Sequence, residues 1–324
     1  MGGDLRLGLI GAGRWGRIFI KAIDRLDGVR LHRLASTNPD SRALVGDDCA
    51  VVEDWRTVAA ADDLDGLIIA TPPARHAEMA AIAISSGIPV LIEKPLTLDA
   101  TQADALLAHA RAKAAIVLVD HIHLYHPAYV ELKHRGLGMG TIHAVRSAGG
   151  DWGPFRPDAS VLWDRASHDV AMCLDLMAEQ PDSVAARRTE DREMAEGHGE
   201  TIALKLTFPG GVIADIEAGN LMRRKKRFLA VQYDHETLIY DDLSETPLVR
   251  EPRPGGPGCD PLHAEAIEVP QKAPLTCALE AFAGAIRQGD RDLSGLALGV
   301  RVVEVLSACD GSLRAGGKTL NFRA

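Results

Sequence analysis

The sequence predicts an α/β protein in two parts. The first is a doubly wound parallel sheet, and the second is an α+β domain with a large, mostly antiparallel sheet. Three observations predict this. Short apolar runs alternate with helical segments through the first 120 residues, and a glycine-rich turn joins the first run to the first helix. Beyond residue 121 the apolar runs follow one another without crossover helices. At 324 residues the chain also exceeds the ~250–300 at which single cores stop growing. The expected domains are 1–120 and 121–324.

Each element has its own reason. Residues 5–10 are a short apolar run and read as the first strand. Ile18, Phe19, Ala22, Ile23 and Leu26 recur at helical spacing, which predicts an amphipathic helix over 15–26, ended by Gly28. Residues 29–35 form a second strand, and 41–46 a short helix after the polar turn at Asn38-Pro39. The stretch 64–70 is a third, buried strand. An Ala-rich helix over 76–86 closes at Gly87; strand 89–92, helix 99–113 and strand 115–119 complete the alternation. In the second part, 141–148, 201–208, 212–218, 227–233 and 236–240 read as strands, and 165–178 as a helix. Pro209-Gly210-Gly211 is a hairpin signal, and the Pro- and Gly-rich stretch 251–261 an irregular loop.

Composition narrows the function. Apolar residues make up 46% but aromatics only 4%, so the cores must be built from Ala, Leu, Ile and Val. A formal charge of −9 repels phosphate backbones, and nucleic acid is not an expected partner. The cysteines Cys49, Cys173, Cys259, Cys277 and Cys309 are scattered and never form Cys-x-x-Cys, which reads as reduced thiols without a zinc or disulfide framework. The histidines from His121 to His143 lack a helical pair with a carboxylate and a third ligand, so no metal is expected. No run approaches the ~20 apolar residues of a membrane span, and no signal peptide precedes the first strand. The expected location is cytoplasmic.

Gly11-Ala12-Gly13-Arg14-Trp15-Gly16 follows the first strand and opens the first helix, the context in which G-x-G-x-x-G reads as a dinucleotide-binding Rossmann turn. Gly11 permits the tight turn, Gly13 lets backbone approach a pyrophosphate, and Gly16 lets helix and sheet pack closely. Free N–H groups at the helix start then face the phosphates. An NAD site usually has Asp or Glu ~20 residues further on. Here Ser36, Thr37 and Asn38 stand in that place, with Arg42 just beyond and Arg14 in the loop itself. The cofactor reading is NADP or NAD, with NADP modestly preferred through Ser36, Thr37 and Arg42.

Two further motifs point to a family. Leu67-Ile68-Ile69-Ala70-Thr71-Pro72-Pro73, with His76 at the next helix, precedes Val90-Leu91-Ile92-Glu93-Lys94-Pro95-Leu96. With the glycine motif, Leu124-Tyr125-His126-Pro127-Ala128-Tyr129, Gly140-Thr141-Ile142, Asp164-Arg165-Ala166-Ser167-His168 and the closing pattern of 293–314, this set resembles the glucose–fructose oxidoreductase / inositol dehydrogenase / rhizopine catabolism (Gfo/Idh/MocA) family. The resemblance spans nearly the whole chain, and Glu-Lys-Pro is its most specific element. It implies that Lys94, Asp164 and His168 form a catalytic triad facing a nicotinamide. It also implies cofactor contacts from Thr71, Pro72, Pro73, His76, Glu93 and Lys94, and a proline at 95 held cis.

The residues themselves agree with that implication in part. Lys94 follows a strand at the carboxyl end of the sheet, where α/β proteins bind ligands. Asp164 and His168 are four residues apart, which places them on one helix face. The family's further acidic residue three positions after the histidine is replaced here by Ala171, with Asp169 next to His168 instead. His123, Trp152 and Arg156 are candidates for contact with a sugar-like small molecule. The expected activity is NAD(P)-dependent oxidation or reduction at a carbon bearing oxygen, in a sugar, cyclitol or sugar derivative. An NAD-dependent glycosidase of the same family and a non-enzymatic dinucleotide-binding regulator are the alternatives. The open sheet face predicts a homodimer or homotetramer. The run Arg223-Arg224-Lys225-Lys226-Arg227 reads as a solvated strand edge or an electrostatic guide for an anionic sugar.

Overall fold

Strands that carry apolar side chains at every position are buried on both faces, and such strands belong in a parallel sheet covered by helices. The computed structural model, which describes residues 3–155, 160–252 and 264–322, has this arrangement in its first half. In chain order it runs β1 (Leu5–Ile10), α1 (Arg14–Ile23), β2 (Val29–Ala35), β3 (Ala50–Val52), α2 (Arg56–Ala59), β4 (Gly66–Ile69), α3 (His76–Ser85), β5 (Val90–Glu93), α4 (Ala100–Lys113) and β6 (Val117–Asp120). Every residue of β4 and β5 is buried. The six strands pair in parallel in the order β3-β2-β1-β4-β5-β6. The chain reverses direction across the sheet between β1 and β4. The carboxyl ends of these two strands therefore bound the crevice in which such sheets hold ligands.

The remaining elements are α5 (Pro127–Gly136), β7 (Ala144–Trp152), α6 (Val161–Asp164), α7 (Ala166–Met177), β8 (Ser183–Met194), β9 (Gly197–Thr207), β10 (Ile213–Gly219), β11 (Leu221–Gln232), β12 (Glu236–Asp241), β13 (Leu248–Pro252), β14 (Glu265–Ala266), α8 (Pro274–Gln288), α9 (Ser294–Arg314) and β15 (Leu320–Asn321). Nine strands make a second sheet in the order β14-β13-β12-β11-β7-β10-β9-β8-β15. All its pairs are antiparallel except β7 with β10. A strand–helix–strand rhythm thus yields one parallel sheet, and successive strands a mostly antiparallel one.

The chain forms two compact units, Met1–Ile122 with Ala273–Val303, and His123–Lys272 with Glu304–Ala324. A second domain unbroken from 121 to 324 differs from this in one physical respect. Leu275, Leu279 and Phe282 of α8 join Leu7, Phe19 and Ile23 in the core of the first unit. Burying each such side chain contributes roughly 1.5–3 kcal/mol, enough to fix where the helix belongs. Gly66 makes room for it: a Cβ there would lie 2.7 Å from Ile286 Cδ1 and 3.1 Å from Phe282 Cε1.

Local corrections follow from length and register. The helix expected over 15–26 stops at Ile23, with Leu26 in a following turn, and that over 41–46 is a 3-10 helix, Pro39–Leu44. The stretch 64–70 supplies the fourth strand, because three-residue β3 carries too short a pattern to read. Twelve-residue β8 is missed because seven of its positions in succession, from Arg187 to Glu193, are exposed and polar. The basic run is not at a sheet edge. It lies in inner strand β11, where the register against β7 breaks between Leu221 and Lys226. Lys226 pairs with Glu217 at 2.7 Å and Arg227 with Asp242 at 3.2 Å. Among the described residues no helix is long and apolar enough to cross a membrane.

Candidate active site

The first unit carries a cradle built by glycines. Gly11 has φ +103°, and a Cβ there would lie 2.5 Å from the Ala70 carbonyl oxygen. A Cβ on Gly16 would lie 2.0 Å from the Gly11 carbonyl oxygen, so only glycine lets α1 start this close to its own turn. Gly13 differs: nothing lies within 4 Å of where its Cβ would be. Its missing side chain clears space for something outside the chain. Gly13 is also the N-cap of α1 with no side-chain cap bond, and the first turn holds no acid. Uncapped N–H groups and a bare backbone suit a pyrophosphate.

A cleft of about 610 Å³ opens above this turn. Of the sequence candidates, Gly11, Ala12, Gly13 and Arg14 line it from the turn, Ser36, Thr37 and Asn38 from the end of β2, and Thr71 and Pro72 from the end of β4. Arg17, Glu53, Trp55 and Arg75 line it as well, unforeseen. The Arg75 guanidinium carbon lies 5.9 Å from the Trp55 ring centre, across twenty residues of sequence with no local signal to link them.

Several candidates do other work. The Arg42 guanidinium donates to the carbonyls of Cys49, Val45 and Gly46 and pairs with Asp47 at 3.6 Å, which ties its own loop together and keeps it off the cleft lining. Trp15 packs on the apolar core. Pro73 starts a 3-10 turn, Pro73–Arg75, and is not part of the lining. His76 is wholly buried, with Nε2 2.8 Å from the Thr71 oxygen and Nδ1 3.0 Å from the Pro95 oxygen. Burial pushes its imidazole below the ordinary value despite both carbonyls. It joins two strand-end loops and does not reach the cleft.

Glu93 ends β5, Lys94 follows it, and both are buried, 5% and 8% exposed. The Lys94 backbone N–H donates to Glu93 Oε2 at 3.1 Å, and the Lys94–Pro95 peptide is cis. At the end of neighbouring β6, burial and then the Lys94 charge push the His121 imidazole down to about 3, so it is neutral.

The second unit carries a different constellation. Asp164 does not share a helix with His168: it ends α6, a turn at Arg165 interrupts the helix, and His168 lies in the first turn of α7. The half-buried His168 ring meets His123 edge-on at 4.9 Å. His123 Nδ1 lies 2.8 Å from the Tyr240 hydroxyl. At 4% exposure, His123 supports His168 more than it offers a surface to a ligand. His126 packs on Tyr240 at 5.0 Å, and its Nδ1 accepts the Ala128 N–H at 3.0 Å as the cap of α5. Its Nε2 is thereby the protonated nitrogen, 3.3 Å from Asp242. Burial raises the Asp242 carboxyl, but the His126 bond and the charges of His123 and Arg227 outweigh it and leave the group below its ordinary value.

Asp169 faces the sheet. Burial pushes its carboxyl up to about 7, against a bond with Ser147. The Ser147 hydroxyl contacts both Asp169 Oδ1 and the Phe228 carbonyl, and one hydroxyl proton cannot serve two acceptors. Both bonds form when Asp169 is protonated and donates. Trp152, half exposed, packs edge-on against Phe155 at 5.8 Å and lines the cleft on the open sheet face, apart from the histidine group. Arg156 lies outside the described residues. Among the described residues, no group of three or more His, Cys, Asp or Glu could hold a metal ion.

Known proteins share this architecture. Residues 5–121 match the Gfo/Idh/MocA family, an oxidoreductase family with an NAD-binding Rossmann fold. The chain is 28% identical over 294 residues to UDP-N-acetylglucosamine 3-dehydrogenase of Acidithiobacillus ferrooxidans, covering 87% of this chain and 88% of that one. It is 30% identical over 226 residues to inositol 2-dehydrogenase 4 of Saccharopolyspora erythraea, covering 66% of each. A solved structure of a candidate oxidoreductase from Magnetospirillum magnetotacticum MS-1 superposes with a TM-score of 0.88 at 45% identity, covering 94% of this chain and 99% of that one.

Proposed function

Because the chain belongs to the Gfo/Idh/MocA oxidoreductase family, we propose that it oxidises or reduces a carbon bearing oxygen in a sugar, cyclitol or sugar derivative, using a nicotinamide dinucleotide. The observation that carries this reading is the open backbone at Gly13, on an uncapped helix start, in the unit that also places Lys94 directly after β5. Bound there, the dinucleotide supplies the two-electron acceptor or donor. Similarity to dehydrogenases of a nucleotide-linked sugar and of a cyclitol supports the substrate class.

The residues divide the remaining work. His168 takes the hydroxyl proton during oxidation and returns it during reduction, its ring held edge-on by His123. Lys94 polarises the substrate oxygen and stabilises charge that develops on it. Asp164, at the end of α6, offers a carboxylate that stabilises the imidazolium. Lys94→Ala and His168→Ala are each expected to lower turnover by about 10²–10⁴-fold and to leave the dissociation constant for cofactor nearly unchanged. A variant with wild-type turnover removes that residue from the mechanism.

Cofactor choice follows from charge. The cleft lining holds the guanidiniums of Arg14, Arg17 and Arg75 against the single carboxylate of Glu53, and no acid stands at the end of β2. This favours a 2′-phosphate, so NADP should bind more tightly than NAD; equal dissociation constants remove the preference. The second sheet's open face forms a cleft of about 1040 Å³ lined by both signs of charge, with Arg and Lys side chains outnumbering the carboxylates of Glu190, Asp215 and Glu217. A sheet face that no helix covers, carrying carboxylates among its basic side chains, can pair with the same face of a second copy, which supports a homodimer or homotetramer through it. A monomer in light scattering at micromolar concentration refutes it.

A further inference from the structure

Strands β5 and β6 end side by side, and each ends on an acid. Glu93 and Asp120 are register partners across this parallel pair, so their side chains leave the sheet on one face, about 5 Å apart at the backbone. Asp120 is wholly buried and Glu93 nearly so. Among the described residues no N–H or O–H group donates to either oxygen of Asp120. Burial first, and then the charge of the neighbouring Glu93 carboxyl, push the Asp120 carboxyl well above its ordinary value. Two adjacent buried carboxyl groups resist ionising together because like charges repel, and a proton kept on one can be donated to the other.

The surrounding charges agree. Lys94 is the nearby cation, and its field acts on both Asp120 and His121. His121, 2% exposed, has neither ring nitrogen hydrogen-bonded among the described residues, and it is neutral. Burial keeps His76, the other nearby imidazole, neutral as well. Ionising both acids would set two buried negative charges against each other on one face of the sheet.

We infer that Glu93 and Asp120 hold a single proton between them, and that Asp120 is a positioning residue acting through Glu93 on Lys94. The path is short. The shared proton ties Asp120 to the Glu93 carboxyl across the β5–β6 register, and Glu93 Oε2 in turn accepts the Lys94 backbone N–H. The peptide that aims the lysine is thereby fixed from the adjacent strand. The role for Asp120 rests on the reading of Lys94 given above, whereas the shared proton does not.

The shared proton is tested by infrared difference spectroscopy on the full-length protein at pH 8, wild type minus Asp120→Asn. The asparagine amide can donate to Glu93, which then ionises. The expected result is a carboxylic-acid carbonyl band present in wild type and lost in the variant. Asp169 contributes equally to both proteins and cancels. Absence of the band overturns the inference whatever Lys94 does. The positioning role is read in kinetics. Asp120→Asn keeps a donor to Glu93 and should lower kcat by no more than about 5-fold, whereas Asp120→Ala should lower it by about 100-fold at unchanged cofactor affinity. Equal impairment in both variants, or a wild-type rate in Asp120→Ala, overturns that role. If Lys94→Ala keeps full turnover while the band is present, the assigned activity of Lys94 fails and the shared proton stands.

Discussion

The glycine turn of the first unit and the histidine group of the second are specified in opposite ways. Between β1 and α1 the geometry is local and steric. Gly11 and Gly16 are five residues apart, and each excludes any side chain because backbone already occupies the space. Around His168 the geometry is long-range and chemical: His123 and Tyr240 meet across 117 residues of sequence, and Arg227, Asp242 and His126 close the group. A turn made by backbone sterics can be read from the residues that form it. A group made by side chains from distant strands depends on sheet order and register.

Gly16→Ala breaks the local half of this contrast most severely. The added Cβ would lie 2.0 Å from the Gly11 carbonyl oxygen, backbone against methyl, with no flexible side chain to yield. The turn and the start of α1 must move apart. The expected outcome is a loss of about 3 kcal/mol in unfolding free energy and at least 100-fold weaker cofactor binding, measured by urea denaturation and fluorescence titration. A variant that binds cofactor normally shows that the turn is not a steric lock.

The same contrast explains what was legible in the sequence. Strand 29–35 is recovered residue for residue as β2, and the glycine motif, Lys94 and Ser36 to Asn38 sit where local pattern places them. Trp55 and Arg75 escape notice because nothing in a short-range pattern brings residues of two separate loops together. Asp164 and His168 satisfy helical spacing, yet Arg165 breaks the helix between them. His76, a cofactor contact by family resemblance, is buried with its ring nitrogens against the Thr71 and Pro95 carbonyls, a placement that no local pattern registers.

Asp169→Asn sharpens the long-range half. The Asp169 carboxyl, pushed up to about 7 by burial, binds its proton more tightly in the folded chain than in the unfolded one. Stability from this group is therefore complete near pH 4, falls as pH rises toward 7, and is flat above it. The variant removes that decline. It should match wild type near pH 4 and exceed it by about 2–4 kcal/mol at pH 8, the equivalent of roughly two to three pKa steps. Wild-type stability that does not decline between pH 5 and 7 would show that Asp169 is ionised throughout and that Ser147 donates to it rather than to Phe228.

The smallest expected effect belongs to Arg42, where a locally plausible charge proves to be occupied. The residue lies just past the end of β2, where a cation would suit a 2′-phosphate, and charge and spacing alone favour that role. Its side chain instead donates to three carbonyls of the loop Val45 to Cys49, so moving toward a phosphate would strand those acceptors. A guanidinium that already satisfies backbone carbonyls gains little by exchanging them, because each lost bond offsets a new one. Arg42→Ala should therefore leave the ratio of NADP to NAD dissociation constants within about 2-fold of wild type and cost about 1 kcal/mol of stability through the loosened loop. Arg14→Ala, which removes a guanidinium from the cleft lining, should shift that ratio more. If Arg42→Ala moves it instead, Arg42 leaves its carbonyls when the dinucleotide binds, and cofactor recognition at the end of β2 is as dependent on rearranged side chains as the histidine group is.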